Sequence, residues 1–172
     1  MENSLRKMRL VSAIYYDPGP FMESGLFDAF VATHDPKELQ PGDVLISWGG
    51  ADISPSLYGK EKCTLSYAEN EPSYRDKIEW ELMQQAQKLN IPIIGICRGA
   101  QMLCALAGGY LMQHVNGHGG HHTVETYDGR KILTNSIHHQ MMVPGNAKHE
   151  VLAEIPKNNL RSNVYWDGNT KV

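Results

Sequence analysis

Short apolar stretches, separated by chain breakers and polar segments, dominate the first two thirds of the chain. They are rich in β-branched and aromatic residues, which predicts strands at 10–16, 27–33, 42–50 and 91–97. Nearly all of their positions are apolar, as is typical of parallel strands covered on both faces. The pattern therefore predicts an α/β fold built on a parallel sheet.

Helical periodicity flanks the last of these strands. Before it, apolar residues recur at helical spacing from Ile78 to Leu89, and Ser73 is a suitable N-cap. After it, the segment GAQMLCALAGG (99–109) predicts a helix that ends at its glycine pair. Strands and helices thus alternate, and each helix can cover a face of the sheet.

The pattern changes after residue 110. Asp128-Gly129 lies between two alternating segments, which predicts a late antiparallel hairpin. Further strands are expected at 150–155 and 162–168, whereas the glycine- and histidine-rich segment 114–122 is expected to be a loop.

Composition and charge limit the classes of protein to which this chain can belong. The 172 residues fit one domain, 1–172, and 41% hydrophobic with 20% charged residues is an ordinary globular balance. A net charge of −3 gives no reason to expect nucleic acid or an anionic membrane as partner. No apolar run approaches the roughly 18 residues that cross a bilayer. Three cysteines at irregular spacing argue against a disulfide framework, so we expect a cytoplasmic protein.

One cysteine stands where a strand is predicted to meet a helix. Gly95-Ile96-Cys97-Arg98-Gly99 has the form G-x-nucleophile-x-G, in which a side chain at either glycine would clash with the neighbouring strand or helix. The partial positive charge at a helix N-terminus favours a thiolate. Cys97 is therefore a candidate nucleophile, and the Arg98 N–H a candidate oxyanion donor.

Simpler interpretations remain open for each of these features. Free cysteines are often merely buried, and we expect Cys104 to be a core residue and Cys63 a surface or edge thiol. The glycine pair Gly49-Gly50 permits close backbone approach to a ligand, but it also suits a plain turn. Four histidines between 114 and 122 raise the alternative of a metal site, yet they lack partnering cysteines or carboxylates, and we expect no metal or other cofactor.

Three blocks of sequence together resemble the class I glutamine amidotransferases. They are GGADISPSLYG, IPIIGICRGAQMLCALAGGYL and NSIHHQ, between residues 49 and 140, and they are most similar to the γ-glutamyl hydrolase branch. The resemblance implies a flavodoxin-like three-layer domain with a mainly parallel central sheet. It also implies hydrolysis of a γ-glutamyl amide, which is glutamine or a γ-glutamylated amine.

The resemblance also assigns roles to particular residues. It makes Cys97 the nucleophile that forms a thioester, with the backbone amides of Gly50 and Arg98 as the oxyanion hole. Gln101 would hydrogen-bond the glutamyl group, and the backbone around His139 and Gln140 would hold its amino-acid end. Arg75 and Asp76 also resemble the family, and we interpret them as structural, the carboxylate favoured in the first helical turn.

The chain departs from the family in one respect. The family's base and orienting acid lie in a late His-Pro-Glu motif, and no such motif occurs in these 172 residues. Three explanations compete: a chain without its C-terminal segment, a non-catalytic glutamyl-binding or regulatory protein, and a variant site with His138 or His139 as base. The resemblance also leaves open whether the protein has a synthase partner, forms a homo-oligomer or acts alone.

Overall fold

Four parallel strands form the central sheet. In this computed structural model, residues 8–116 and 118–155 are described in full, and residues 165–167 and 170–171 by their backbone. The strands are β1 (Met8–Ser12), β2 (Phe27–Ala32), β3 (Val44–Ser47) and β4 (Ile93–Gly95), in the order β2-β1-β3-β4. This order agrees with the first four strands of the flavodoxin-like order, and the chain has the expected α/β fold with a parallel sheet.

In the part of the chain that the structure describes, three helices accompany the sheet: α1 (Gly19–Met22), α2 (Tyr74–Lys88) and α3 (Arg98–Leu106). Two 3-10 turns, Pro36–Glu38 and Pro55–Tyr58, lie in the connections. Among the described residues, no helix has both the length and the apolar character needed to cross a membrane.

The start of α2 confirms the predicted cap. The Ser73 side chain accepts a hydrogen bond from the Asp76 N–H, and the Asp76 carboxylate accepts one from the Ser73 N–H, so the two form a capping box. Asp76 is therefore fixed by its own helix terminus before any tertiary contact is considered.

The two faces of the sheet carry separate apolar clusters, because successive strand residues point to opposite sides. On one face, Val11 and Leu45 join a cluster with α2 and α3 that includes Leu82 and Met102. On the other face, a second cluster packs against Phe21 and Met22 of α1. It is formed by Leu10, Phe27, Val44 and Ile46 of the strands and by Trp48, which follows β3. Helical segments therefore cover both sides of the sheet.

The second half of the described chain is built from short antiparallel strands. They are β5 (Tyr110–Met112), β6 (His114–Val115), β7 (Gly119–Thr126), β8 (Lys131–Ile137), β9 (Met141–Val143), β10 (Ala153–Glu154), β11 (Tyr165–Asp167) and β12 (Thr170–Lys171). They pair as β5 with β9, as β10-β7-β8, and as β12-β11-β6. The turn at Asp128-Gly129 joins β7 to β8, which confirms the predicted hairpin.

Two expectations for this half are corrected by the structure. The segment 114–122 is not simply a loop, since it contains β6 and the first residues of β7. Its glycines and histidines have low strand propensity, but pairing with β8 supplies the backbone hydrogen bonds that decide its conformation. The strand expected at 150–155 is only two residues long, and of that expected at 162–168 only residues 165–167 lie among those described.

Candidate active site

Cys97 lies at the junction between β4 and α3. Its backbone has φ 52° and ψ −110°, a conformation that residues with side chains seldom adopt, and its side chain is exposed. Because β3 pairs with β4 with Ser47 opposite Gly95, the segments that follow the two strands lie side by side. The thiol is thus at the carboxyl edge of the sheet, next to Gly49-Gly50.

Both glycines around Cys97 are required by close packing. A β-carbon on Gly95 would lie 2.6 Å from the backbone nitrogen of Ala100, and one on Gly99 would lie 2.1 Å from the carbonyl oxygen of Ser47. Each obstacle is backbone and has little room to move. The tight strand-to-helix turn predicted at Cys97 is therefore present, whereas the role of Cys97 as nucleophile stays a prediction.

The Arg98 side chain points away from the thiol into the protein. It is 2% exposed and forms ion pairs with Asp76 and with Glu79, both on α2 and both buried. The N–H of Arg98 belongs to the first residue of α3, so it has no acceptor within the helix. The side chain fixes the start of α3 while the backbone amide stays at the helix N-terminus beside Cys97.

Arg75 connects the same ion cluster to the backbone after β3. Its Nη2 donates to the carbonyl oxygens of Trp48 and Gly49, at 3.1 Å each, and its Nε donates to Glu79 at 3.1 Å. Glu79 uses its other oxygen for Arg98. The Glu79 carboxylate therefore binds two guanidinium groups, that of Arg75 beside the segment after β3 and that of Arg98 at the start of α3. These two segments carry the candidate oxyanion donors.

A cleft of about 690 Å³ opens beside the thiol. Among the residues that line it are Cys97, Gln101 and Gln140, so three residues predicted for the site share one cavity. Gln140 is 1% exposed, and its buried Oε1 has no hydrogen-bond partner among the described residues. The other lining residues are mostly apolar and are Ile96, Ala100, Val124, Asn135, Ile137, His138, Met141, Met142 and Ala153.

The two histidines of the segment NSIHHQ have different surroundings. His138 lines the cleft, and its Nδ1 is 2.9 Å from the carbonyl oxygen of Gln140. The His139 side chain instead reaches Asp52, with Nε2 2.9 Å from Oδ1, and its ring packs against that of Tyr67 at 4.8 Å. His139 thus connects its segment to the loop after the glycine pair.

Most of the remaining histidines lie in the second half of the described chain. Within residues 8–116 and 118–155, no group of three or more His, Cys, Asp or Glu side chains is arranged to hold an ion. His118 is buried and its ring is 4.9 Å from that of His138. Burial, with the nearby charges of His138 and His122, lowers the pKa of His118 below its ordinary value.

The other two cysteines differ from Cys97. Cys104 is partly buried within α3, and burial raises the pKa of its thiol even though a backbone hydrogen bond at Val143 acts the other way. The prediction of a surface or edge thiol at Cys63 is wrong, since this residue is 1% exposed. The reason is Gln113, whose Oε1 accepts from the Cys63 N–H at 2.8 Å and draws the polar loop inward.

Sequence reasoning missed Glu79 and Asp52 as parts of the site. Glu79 lies four residues after Arg75, a spacing that indicates an ion pair on one helix, but nothing in the pattern shows that Arg98 would meet the same carboxylate. Asp52 is a typical turn residue in sequence, and its partner His139 is 87 positions away.

Comparison with known families agrees with this geometry. The Peptidase C26 family model matches residues 37–165, which is more than half of the chain and includes the elbow. The chain belongs to the Peptidase C26 family. The match spans β3, α2, β4 and α3, the elements that bring Gly50, Arg75 and Cys97 together.

Individual relatives are similar over shorter stretches. A candidate glutamine amidotransferase of Schizosaccharomyces pombe, PB2B2.05, is 34% identical over 62% of this chain and 41% of its own length. The carbamoyl phosphate synthase small chain of Buchnera aphidicola is 36% identical over 65% of this chain and 25% of its own. The chain therefore spans less than half the length of these two curated relatives.

A solved structure with low sequence identity has a fold similar to that of this chain. It is that of a candidate GMP synthase subunit from Thermoplasma acidophilum, which is 16% identical, with a TM-score of 0.59 over 87% of this chain and 72% of the other. At this identity the likeness concerns the fold alone, and it agrees with the parallel sheet and its flavodoxin-like order.

Proposed function

We propose that this chain cleaves a γ-glutamyl amide, either glutamine or a γ-glutamylated amine, through a thioester on Cys97. The observation that carries the proposal is the backbone of Cys97, held at φ 52° between two glycines that packing forbids to bear side chains, with its thiol exposed at a cleft. A strained elbow of this kind is costly to maintain, and it presents a nucleophile clear of the sheet.

The proposed chemistry is acyl transfer. The Cys97 thiolate attacks the amide carbon and the carbonyl oxygen becomes an oxyanion; the C–N bond then breaks as the oxyanion collapses to the thioester and the amine leaves with a proton taken from water. Water then cleaves the thioester and releases glutamate. The backbone N–H groups of Gly50 and Arg98 are assigned to the oxyanion because they belong to the two segments that meet at the thiol.

Substrate binding is assigned to the polar groups of the cleft. Gln101 and Gln140 line it and are mostly buried, so each can hydrogen-bond a glutamyl group in a site with little competing water. The backbone around His139 and Gln140 is assigned to the amino-acid end, and the His139–Asp52 hydrogen bond supports this by holding the segment against the glycine loop.

The leaving group decides between two versions of the function. The relative named as a carbamoyl phosphate synthase small chain favours glutamine as substrate, with ammonia delivered to a synthase partner. The resemblance of GGADISP to the hydrolase branch favours a protein that acts alone on a γ-glutamylated amine. Comparing ammonia release from glutamine with amine release from γ-glutamyl amides distinguishes the two.

A glutamine-like chloroketone tests the nucleophile directly. The Cys97 thiolate should displace chloride and form a thioether, seen as one adduct by intact mass and located by peptide mapping. Cys104 and Cys63 are internal controls because both are less exposed, and Cys97→Ser should abolish the adduct. Labelling of Cys97 no faster than Cys63 would refute an activated nucleophile. Glutamine binding without any adduct would favour the non-catalytic alternative.

A further inference from the structure

The segment after β3 is held by a side chain from another element. Arg75, on the first turn of α2, donates from Nη2 to the carbonyl oxygens of Trp48 and Gly49. The guanidinium lies so close to the next residue that a β-carbon on Gly50 would be 2.5 Å from Nη1. Gly50 also has φ 147°, which favours glycine. The Gly49–Gly50 peptide is thus packed directly against an arginine.

The planarity of the peptide group gives this contact a consequence. In a trans peptide, the carbonyl of one residue and the N–H of the next point in opposite directions. Because Arg75 holds the Gly49 carbonyl on its own side, the Gly50 N–H must point away from the guanidinium. Two neighbouring glycines would otherwise allow this peptide to rotate easily, since neither has a β-carbon to restrict it.

We propose that Arg75 is a positioning residue, which fixes the Gly49–Gly50 peptide so that the Gly50 N–H remains available to the oxyanion. The inference rests on the proposed function, which assigns Gly50 as an oxyanion donor. Glu79 extends the arrangement, because it accepts from Arg75 through one oxygen and from Arg98 through the other. The two donors of the oxyanion hole are therefore set by one carboxylate on α2.

The test compares two reactions of the same thiol. Alkylation by iodoacetamide displaces iodide at a saturated carbon and forms no oxyanion. Acylation by γ-glutamyl-p-nitroanilide passes through an oxyanion and releases p-nitroaniline, which is followed by absorbance and by the acyl adduct in intact mass. A defect in the oxyanion hole should slow acylation and leave alkylation unchanged.

Arg75→Lys and Arg75→Ala are the informative variants. Lysine keeps the charge but lacks the planar fork that bonds two carbonyls and Glu79 together. Both variants should acylate roughly 10–100-fold more slowly, somewhat less than the loss typical of deleting an oxyanion donor outright, with the half-saturating donor concentration unchanged. Lys77→Ala is the matched control, since it removes an exposed charge from the same helix and should react like the wild type in both assays.

Each other outcome overturns the inference. Unchanged acylation in both variants would show that the peptide keeps its orientation without Arg75. Equal loss of acylation and alkylation, with a lower melting temperature, would show that Arg75 acts only through stability. If the wild-type thiol is alkylated by iodoacetamide but is neither acylated by the anilide nor labelled by the chloroketone, the proposed function is wrong. The role of Arg75, which depends on that function, is then wrong as well.

Discussion

Gly99, the second glycine of the elbow, lies against the backbone of β3 and should not tolerate a side chain. Replacing it with alanine places a β-carbon 2.1 Å from the Ser47 carbonyl oxygen and 2.6 Å from the Ser47 carbonyl carbon. Both atoms belong to β3, which is paired on each side, by β1 and by β4. The strand cannot yield without disturbing the sheet, so helix α3 has to move instead.

The geometry sets the size of the effect. Ordinary contacts of a β-carbon begin beyond about 3 Å, so α3 must shift by roughly 1 Å where it meets the sheet. Overpacking of this kind typically costs about 1–3 kcal/mol, and the rigid backbone obstacle puts Gly99→Ala near the upper end. For a domain of this size, that corresponds to a melting temperature lower by roughly 5–10 °C. The start of α3 moves with it, so the backbone beside Cys97 loses its alignment.

Gly119→Ala provides the control, because a β-carbon there meets no atom within 4 Å and the residue needs no positive φ. Urea denaturation should show a large loss of stability for Gly99→Ala and almost none for Gly119→Ala. Labelling of Cys97 by the chloroketone should slow only in the former. If Gly99→Ala is as stable as the control and labels at the wild-type rate, the close contact between α3 and β3 is wrong.

Two further predictions concern buried carboxylates. Asp43 loses solvation on burial, which would raise its pKa, but hydrogen bonds from Arg9 and from a backbone N–H hold the pKa below its ordinary 3.8. The stabilisation by Asp43 is therefore present at neutral pH and is lost as pH falls below about 4 through the lowered pKa. Asp43→Asn should lower the free energy of unfolding by about 2 kcal/mol at pH 7. In urea denaturation at a series of pH values, the variant should lose less stability in acid than the wild type, and an equal loss would contradict this. Glu79→Gln removes a charge beside the buried Arg98 and should lower the free energy of unfolding by about 3 kcal/mol, measured by the same method. The control Glu81→Gln, at an exposed residue, should not change it. Equal stability of the two variants would argue against the ion cluster.

The local features of the site were predictable because each depends on neighbouring residues. Two glycines at fixed distances from Cys97 indicate an elbow, and Ser73 with Asp76 three residues later indicates a capping box. The apolar runs indicate a parallel sheet, because strands buried on both faces need few polar positions. In each case the physical constraint acts within a few residues, so the pattern is visible in one stretch of sequence.

The features that escaped prediction depend on contacts between distant segments. Cys63 is buried because a glutamine 50 residues away binds its backbone, and residues 119–122 form a strand because β8 pairs with them. His139 has the ring nitrogens of a candidate base, yet it bonds Asp52, on the loop after the glycine pair. Local propensity cannot reveal such partners, because the same residues are equally compatible with a loop.

The buried ion cluster is the least expected part of the site, because apolar side chains could fill the same volume at lower cost in desolvation. Apolar groups, however, could not donate hydrogen bonds to the Trp48 and Gly49 carbonyls at the end of β3. A guanidinium does so with a fixed direction, and it then needs a buried carboxylate to compensate its charge. The same carboxylate, Glu79, also compensates Arg98, while Asp76 supplies a second negative charge from its place in the helix cap. Two cations and two anions thus balance; desolvating them costs stability, but their hydrogen bonds fix the direction of the two backbone segments that meet at Cys97.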